Sequence, residues 1–167
     1  MGLPNHFWSL QMSMNRYLRM AINQAFEHNY EDQIDYKHCA VLVKGGSVVS
    51  VGFNKMTTNS FVEHYTDMVR GPNRDYLLST HAEQAAILQV RNKIDLTGCK
   101  IYVARIRPPK SDHGKVGMSA PCNICQRVLG AYGISKAYYT IDDYSYGVLD
   151  VKKMKEDKFI YENRNVA

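Results

Sequence analysis

Apolar residues recur at spacings of three and four between Phe7 and Phe26. Leu10, Met14, Tyr17, Leu18, Ala21 and Ala25 share one stripe there, which predicts a helix with one buried face. After the polar stretch Asn29 to Asp35 come two short β-branched runs, Cys39-Ala40-Val41-Leu42-Val43 and Val48-Val49-Ser50-Val51. Lys44-Gly45-Gly46-Ser47 joins them, and the Gly-Gly pair is a hairpin signal. From Thr57 to Leu78 periodicity is lost and Gly71-Pro72-Asn73 interrupts the chain, so a long connection is expected. Thr80 to Val90 reads as a helix, Ile101 to Ile106 as a strand and Arg107 to Ala120 as a loop rich in Pro, Gly and Lys. Pro121 to Ala131 reads as a second short helix, Ala137 to Ile141 as a strand, Asp142 to Ser145 as a turn and Val148 to Val151 as a last strand. The order α-β-β-α-β-α-β-β predicts a three-layer α/β/α sandwich, one domain over residues 1–167 with a charged tail at 152–167. Only Asp142 to Gly147 separates the last two strands. A parallel crossover needs about a dozen residues, so the last strand is expected to be antiparallel.

Composition narrows the class. The 167 residues are 45% hydrophobic and 22% charged, the mix of a folded globular chain and not of a disordered one. No apolar run approaches ~18 residues, so no transmembrane helix is readable. Met1 to His6 shows no basic start followed by an apolar stretch and does not read as a secretory signal; a cytoplasmic location is the expectation. The net charge of +5 suits anionic ligands, nucleotides and nucleic acid among them, although the same excess is common on solvated surfaces. With no secretory signal, Cys39, Cys99, Cys122 and Cys125 read as metal ligands or buried thiols before disulfides.

Two stretches carry chemistry, Thr80-His81-Ala82-Glu83 and Pro121-Cys122-Asn123-Ile124-Cys125, each at the start of an expected helix. Taken alone, the first is a capping box of Thr80 with Glu83. The second, alone, is a proline at the first helical position with two buried thiols. Together they form a zinc site. Cys122 and Cys125, three apart, lie on one helix face, and a helix N-terminus favours the thiolate. His81 supplies a third ligand, which leaves an open position of the kind a catalytic zinc needs. Glu83 stands beside the metal without binding it. This is the H-x-E…P-C-x-x-C pattern of zinc deaminases.

Those motifs make the chain resemble the cytidine and deoxycytidylate deaminase superfamily from Ala40 to Ile141. The resemblance implies a five-stranded mixed sheet between helices, Zn2+ on His81, Cys122 and Cys125, and Glu83 as the proton shuttle. Gly52-Phe53-Asn54-Lys55-Met56 is similar to the Gly-Tyr-Asn-Gly-Met stretch of deoxycytidylate deaminases, which makes Asn54 a substrate contact. By the same resemblance Ala40, Ala82, Ser119 and Tyr144 border the substrate. The loop Arg107 to Ser119 must end beside the metal, and its Lys110 and Lys115 are candidates for a phosphate clamp. Three features depart from the deoxycytidylate deaminase pattern, one of them the short connection before Val148, whose antiparallel hairpin is more like the free-nucleoside branch. Gln84-Ala85-Ala86 follows Glu83 where the family commonly has x-Asn-Ala, and His81 and Cys122 are 41 positions apart, more than is usual. The favoured activity is hydrolysis of dCMP to dUMP and ammonia. The alternatives are a free nucleoside or another amino-substituted base, or a base in RNA or single-stranded DNA. A scaffold with purely structural zinc is disfavoured because such a site has no use for Glu83. Self-association is expected, a membrane partner is not, and His38, Cys39 and His64 are assigned to core or surface and not to a second metal.

Overall fold

The computed structural model describes residues 15–71, 79–109 and 114–154. The predicted first helix is α1, Arg16–Glu27, opened by Asn15, whose side chain accepts the Tyr17 N–H at 2.9 Å. Its earlier part, from Phe7, lies outside the described residues, as does Lys110. The hairpin follows as β1 (Lys37–Lys44) and β2 (Ser47–Phe53). Lys44 pairs with Ser47 across Gly45 and Gly46, both at positive φ, which is the turn that the right-handed twist of two strands favours.

The expected long connection holds a helix, α2 (Ser60–Arg70). Asn59 caps it by accepting the Val62 N–H at 3.1 Å, and Gly71 ends it at φ 78. Phe61, Val62 and Thr66 form its buried stripe; the polar Thr66 within that stripe breaks the apolar pattern on which the sequence reading relied. Next come α3 (Ala82–Val90), β3 (Lys100–Ile106) and β4 (Val116–Gly117), the last a two-residue strand inside the expected loop. The chain continues through α4 (Asn123–Ala131), β5 (Lys136–Thr140), β6 (Tyr146–Asp150) and the short α5 (Val151–Met154), which occupies the start of the expected tail.

The strands form a six-stranded sheet in the order β2-β1-β3-β5-β6, with β4 paired to β3. Among the described strands only β3 and β5 run parallel, and α4 provides the crossover between them. The β5–β6 pair is antiparallel, as the short connection required. One face of the sheet packs on Leu18, Ala21, Ile22 and Ala25 of α1. The other packs on Phe61 and Val62 of α2, Ala82, Ala86 and Ile87 of α3, and Val128 and Leu129 of α4. β1 is therefore covered on both faces: Cys39, Val41 and Val43 face α1 while Ala40 and Leu42 face α3, which explains why its sequence is continuously apolar. This is the α/β/α sandwich expected from the sequence. Gly52 sets how closely α3 lies on the sheet. A Cβ there would overlap the Ala86 nitrogen and the Ala82 carbonyl oxygen and stand 2.9 Å from Ala86 Cα. Among the described residues no helix is long and apolar enough to cross a membrane.

Candidate metal centre

Two helix starts converge. His81 is the cap residue of α3, with extended backbone (φ −77, ψ 158), and Cys122 is the cap residue of α4 (φ −70, ψ 170). Pro121 therefore precedes the cap instead of occupying the first helical position. Thr80 fixes the entry to α3. It pairs with Lys55 through two backbone bonds of 3.0 Å, and its hydroxyl donates to the Thr57 carbonyl at 2.6 Å. The entry to α4 is held by Ser119, whose hydroxyl donates to the Val103 carbonyl at 2.7 Å and accepts the Thr140 N–H at 2.8 Å.

This framework places His81 Nδ1 3.4 Å from Cys122 Sγ and 3.3 Å from Cys125 Sγ. The three ligand atoms lie within 4.8 Å of one another. Zinc–sulfur and zinc–nitrogen bonds of about 2.3 and 2.0 Å at a tetrahedral angle put the two donor atoms about 3.5 Å apart, so the spacing fits zinc. Cys122 is exposed and Cys125 is buried, which leaves the cluster open to solvent on one side, as a catalytic site requires and a closed structural site does not.

The electrostatics also suit a metal. The Cys122 thiol is pulled down to about 4, first by hydrogen bonding from Cys125 and then by His81. His81 is correspondingly pushed up by its bond to Cys122. Cys125 is driven well above its ordinary value, because its thiol donates to the Cys122 sulfur and because it is buried. Glu83 is buried and bonded to Cys125, so its carboxyl stands at the cluster without being one of the three convergent ligands; burial raises its pKa.

The other sequence-derived candidates sit as follows. Ala40 and Ala82 are both buried in the core between β1 and α3. Asn54 is half-buried; its Oδ1 accepts the His38 N–H at 2.8 Å and its Nδ2 donates to the Tyr36 carbonyl at 2.9 Å. That leaves one lone pair and one hydrogen of the amide for another partner. Ser119 is buried among strand ends. Tyr144 is 66% exposed in the β5–β6 turn. Lys115 has an exposed side chain, and its N–H donates to Asp143 at 2.9 Å. Cys39 is buried on β1, and His64 is exposed on α2.

Three residues bordering the cluster were missed as site residues. His38 on β1 pairs with Arg105 on β3. The Arg105 guanidinium lies 4.1 Å over the Tyr36 ring. His38 is held down to about 4, by burial first and by Arg105 second, with smaller effects from His81 and Cys122, so it lies near both the arginine and the convergent cluster. Arg105 interrupts the otherwise buried run Ile101 to Ile106 of β3, a break in pattern that the sequence reading left unused.

Several solved structures are similar to this one. Cytidine deaminase from Burkholderia pseudomallei superposes with a TM-score of 0.56 at 22% identity, covering 84% of this chain and 96% of that one. Cytidine deaminase from Mycobacterium leprae gives 0.50 at 12% identity, covering 84% and 98%. The dCMP deaminase of cyanophage S-TIM5 in complex with dCMP and dUMP gives 0.48 at 19% identity, covering 84% and 85%. No curated protein matches the chain significantly. The family model for the cytidine and deoxycytidylate deaminase zinc-binding region matches residues 12–141. That span contains both helix starts, all three convergent ligands and Glu83, and the chain belongs to the cytidine and deoxycytidylate deaminase family.

Proposed function

We propose that the protein is a zinc-dependent hydrolytic deaminase of a cytosine nucleotide, converting dCMP to dUMP and ammonia. The observation that carries the hydrolytic part is the approach of His81 Nδ1 to both sulfurs with Glu83 buried against Cys125. His81, Cys122 and Cys125 would hold the metal. When bound, zinc supplies Lewis acidity that brings the pKa of water toward neutrality. Glu83 moves the protons. Its desolvated carboxyl favours the protonated form more than an ordinary glutamate does. It can therefore take a proton from water, give it to the ring nitrogen beside the attacked carbon, and assist departure of the amino group. Ala40 and Ala82, buried in the core, would pack behind the site and not meet the ring themselves. Asn54, still able to donate and accept one bond, is the proposed contact to ring and sugar.

The preference for dCMP is supported by the Gly52-Phe53-Asn54 stretch and by the basic loop that returns through Lys115. The antiparallel β5–β6 pair favours a second reading, a free nucleoside, because it resembles the nucleoside branch of the family. Ammonia release from dCMP, deoxycytidine, cytidine, the free base and a cytosine-containing oligonucleotide separates the readings. Turnover of dCMP well above the others is expected. Turnover confined to nucleosides, or to the oligonucleotide with steep salt dependence, overturns the nucleotide assignment.

A further inference from the structure

Among the described residues no carboxylate is seen to pair with Arg105. Its neighbour Arg107, by contrast, helps to lower the pKa of Asp142, after the Tyr144 N–H and the Ser145 hydroxyl. Arg105 is held in other ways. Its guanidinium lies flat on Tyr36 at 4.1 Å, its stem runs along Gly117, where a Cβ would stand 3.3 Å from Arg105 Cδ, and an imidazole, that of His38, faces it across the β1–β3 pair. Among the described residues its donors are poorly filled. Nη1 reaches the Met118 carbonyl only at 3.4 Å, and Nε is buried with no partner. Met118 is four residues before Cys122, so the guanidinium is tethered near the metal ligands.

We propose that Arg105, laid flat on Tyr36 at the rim of the metal centre, is the specificity residue that receives the anionic group of the substrate and so selects a nucleotide over a nucleoside. This rests on the deaminase reading above. A planar guanidinium binds phosphate through paired N–H donors. One already oriented by an aromatic face loses less side-chain freedom on binding than a lysine on an exposed loop, such as Lys115. The long, exposed Nη1 bond to Met118 is weak and readily exchanged for a bond to an anion.

The test is the ratio of kcat/KM for dCMP to that for deoxycytidine, in the wild type and in Arg105→Gln, at matched zinc content and thermal midpoint. A fall of roughly tenfold or more is expected, carried by KM for dCMP. Arg105→Lys should recover part of it, and an unchanged ratio overturns the assignment. Were Arg105→Gln to misfold, Tyr36→Leu at the exposed ring replaces it. It should lower the ratio about two- to fivefold, and an unchanged ratio again overturns the assignment. No ammonia from either compound in the zinc-loaded wild type would defeat the deaminase reading itself. Arg105 is then read by calorimetry with dUMP and deoxyuridine. A wild-type preference for dUMP that Arg105→Gln abolishes upholds the assignment, and equal binding of the two by the wild type overturns it.

Discussion

Gln84 closes the first turn of α3: its Oε1 accepts the backbone N–H of His81 at 2.9 Å. Cap and partner are thus each one residue later than the Thr80–Glu83 pair that the sequence suggests. The shift matters because it leaves Glu83 free of the capping role, with its carboxyl turned to Cys125.

The same bond fixes the backbone of His81, a proposed metal ligand. Gln84→Ala should cost about 1 kcal/mol of stability and weaken zinc binding several-fold, since an unfastened His81 N–H frays the helix start. Chemical denaturation and competition with a zinc indicator check this. Unchanged zinc affinity would mean that His81 is positioned by Thr80 alone.

Gly52→Ala should destabilise the fold by about 1–3 kcal/mol. A methyl there meets the backbone of α3 at Ala82 and Ala86, and backbone cannot rotate away as a side-chain tip can. Because Ala82 directly follows His81, zinc affinity should fall with stability. A thermal midpoint within a degree of the wild type would show that α3 shifts freely on the sheet.

His38 gives the fold a pH dependence of its own. Its folded pKa, about 4, lies below the ordinary 6.5, through burial and then Arg105. Between those values the unfolded chain binds more protons. This contribution is therefore complete above about pH 6.5 and is lost as the pH falls toward 4, and by pH 5 on the order of 2 kcal/mol should be gone. Urea unfolding at pH 7 and pH 5 measures the loss, and His38→Gln should reduce it by that amount. An equal loss in the variant would place the acid sensitivity in other groups.

Much of this was legible in the sequence, for physical reasons. β1 and β2 announce themselves through β-branched runs and a Gly-Gly turn, and the antiparallel end of the sheet follows from how little chain lies between Ile141 and Val148. The convergence of His81, Cys122 and Cys125 is readable because thiolates and imidazole at that spacing serve few other purposes. What stayed hidden depends on tertiary contacts. α2 escaped because Thr66, buried in its stripe, is polar and bonds back to the Val62 carbonyl at 2.8 Å. β4 is too short to carry a pattern. The cap at His81 was obscured by Thr80, a better cap by residue type, which is instead bonded to Lys55 and Thr57. Arg105 and Tyr36 gain meaning only when the β1–β3 pairing sets Arg105 beside His38 and over the Tyr36 ring.

Glu83 bears the central claim, because the three ligands could hold zinc without it. The most direct measurement is ammonia release from dCMP by the wild type and by Glu83→Gln, with zinc quantified in the same samples. The expected result is equal zinc in both and a rate lower by about 10²–10⁴-fold in the variant, since an amide cannot relay a proton. Zinc lost from the variant would make Glu83 a ligand, and ammonia released at the wild-type rate would contradict its role in proton transfer outright.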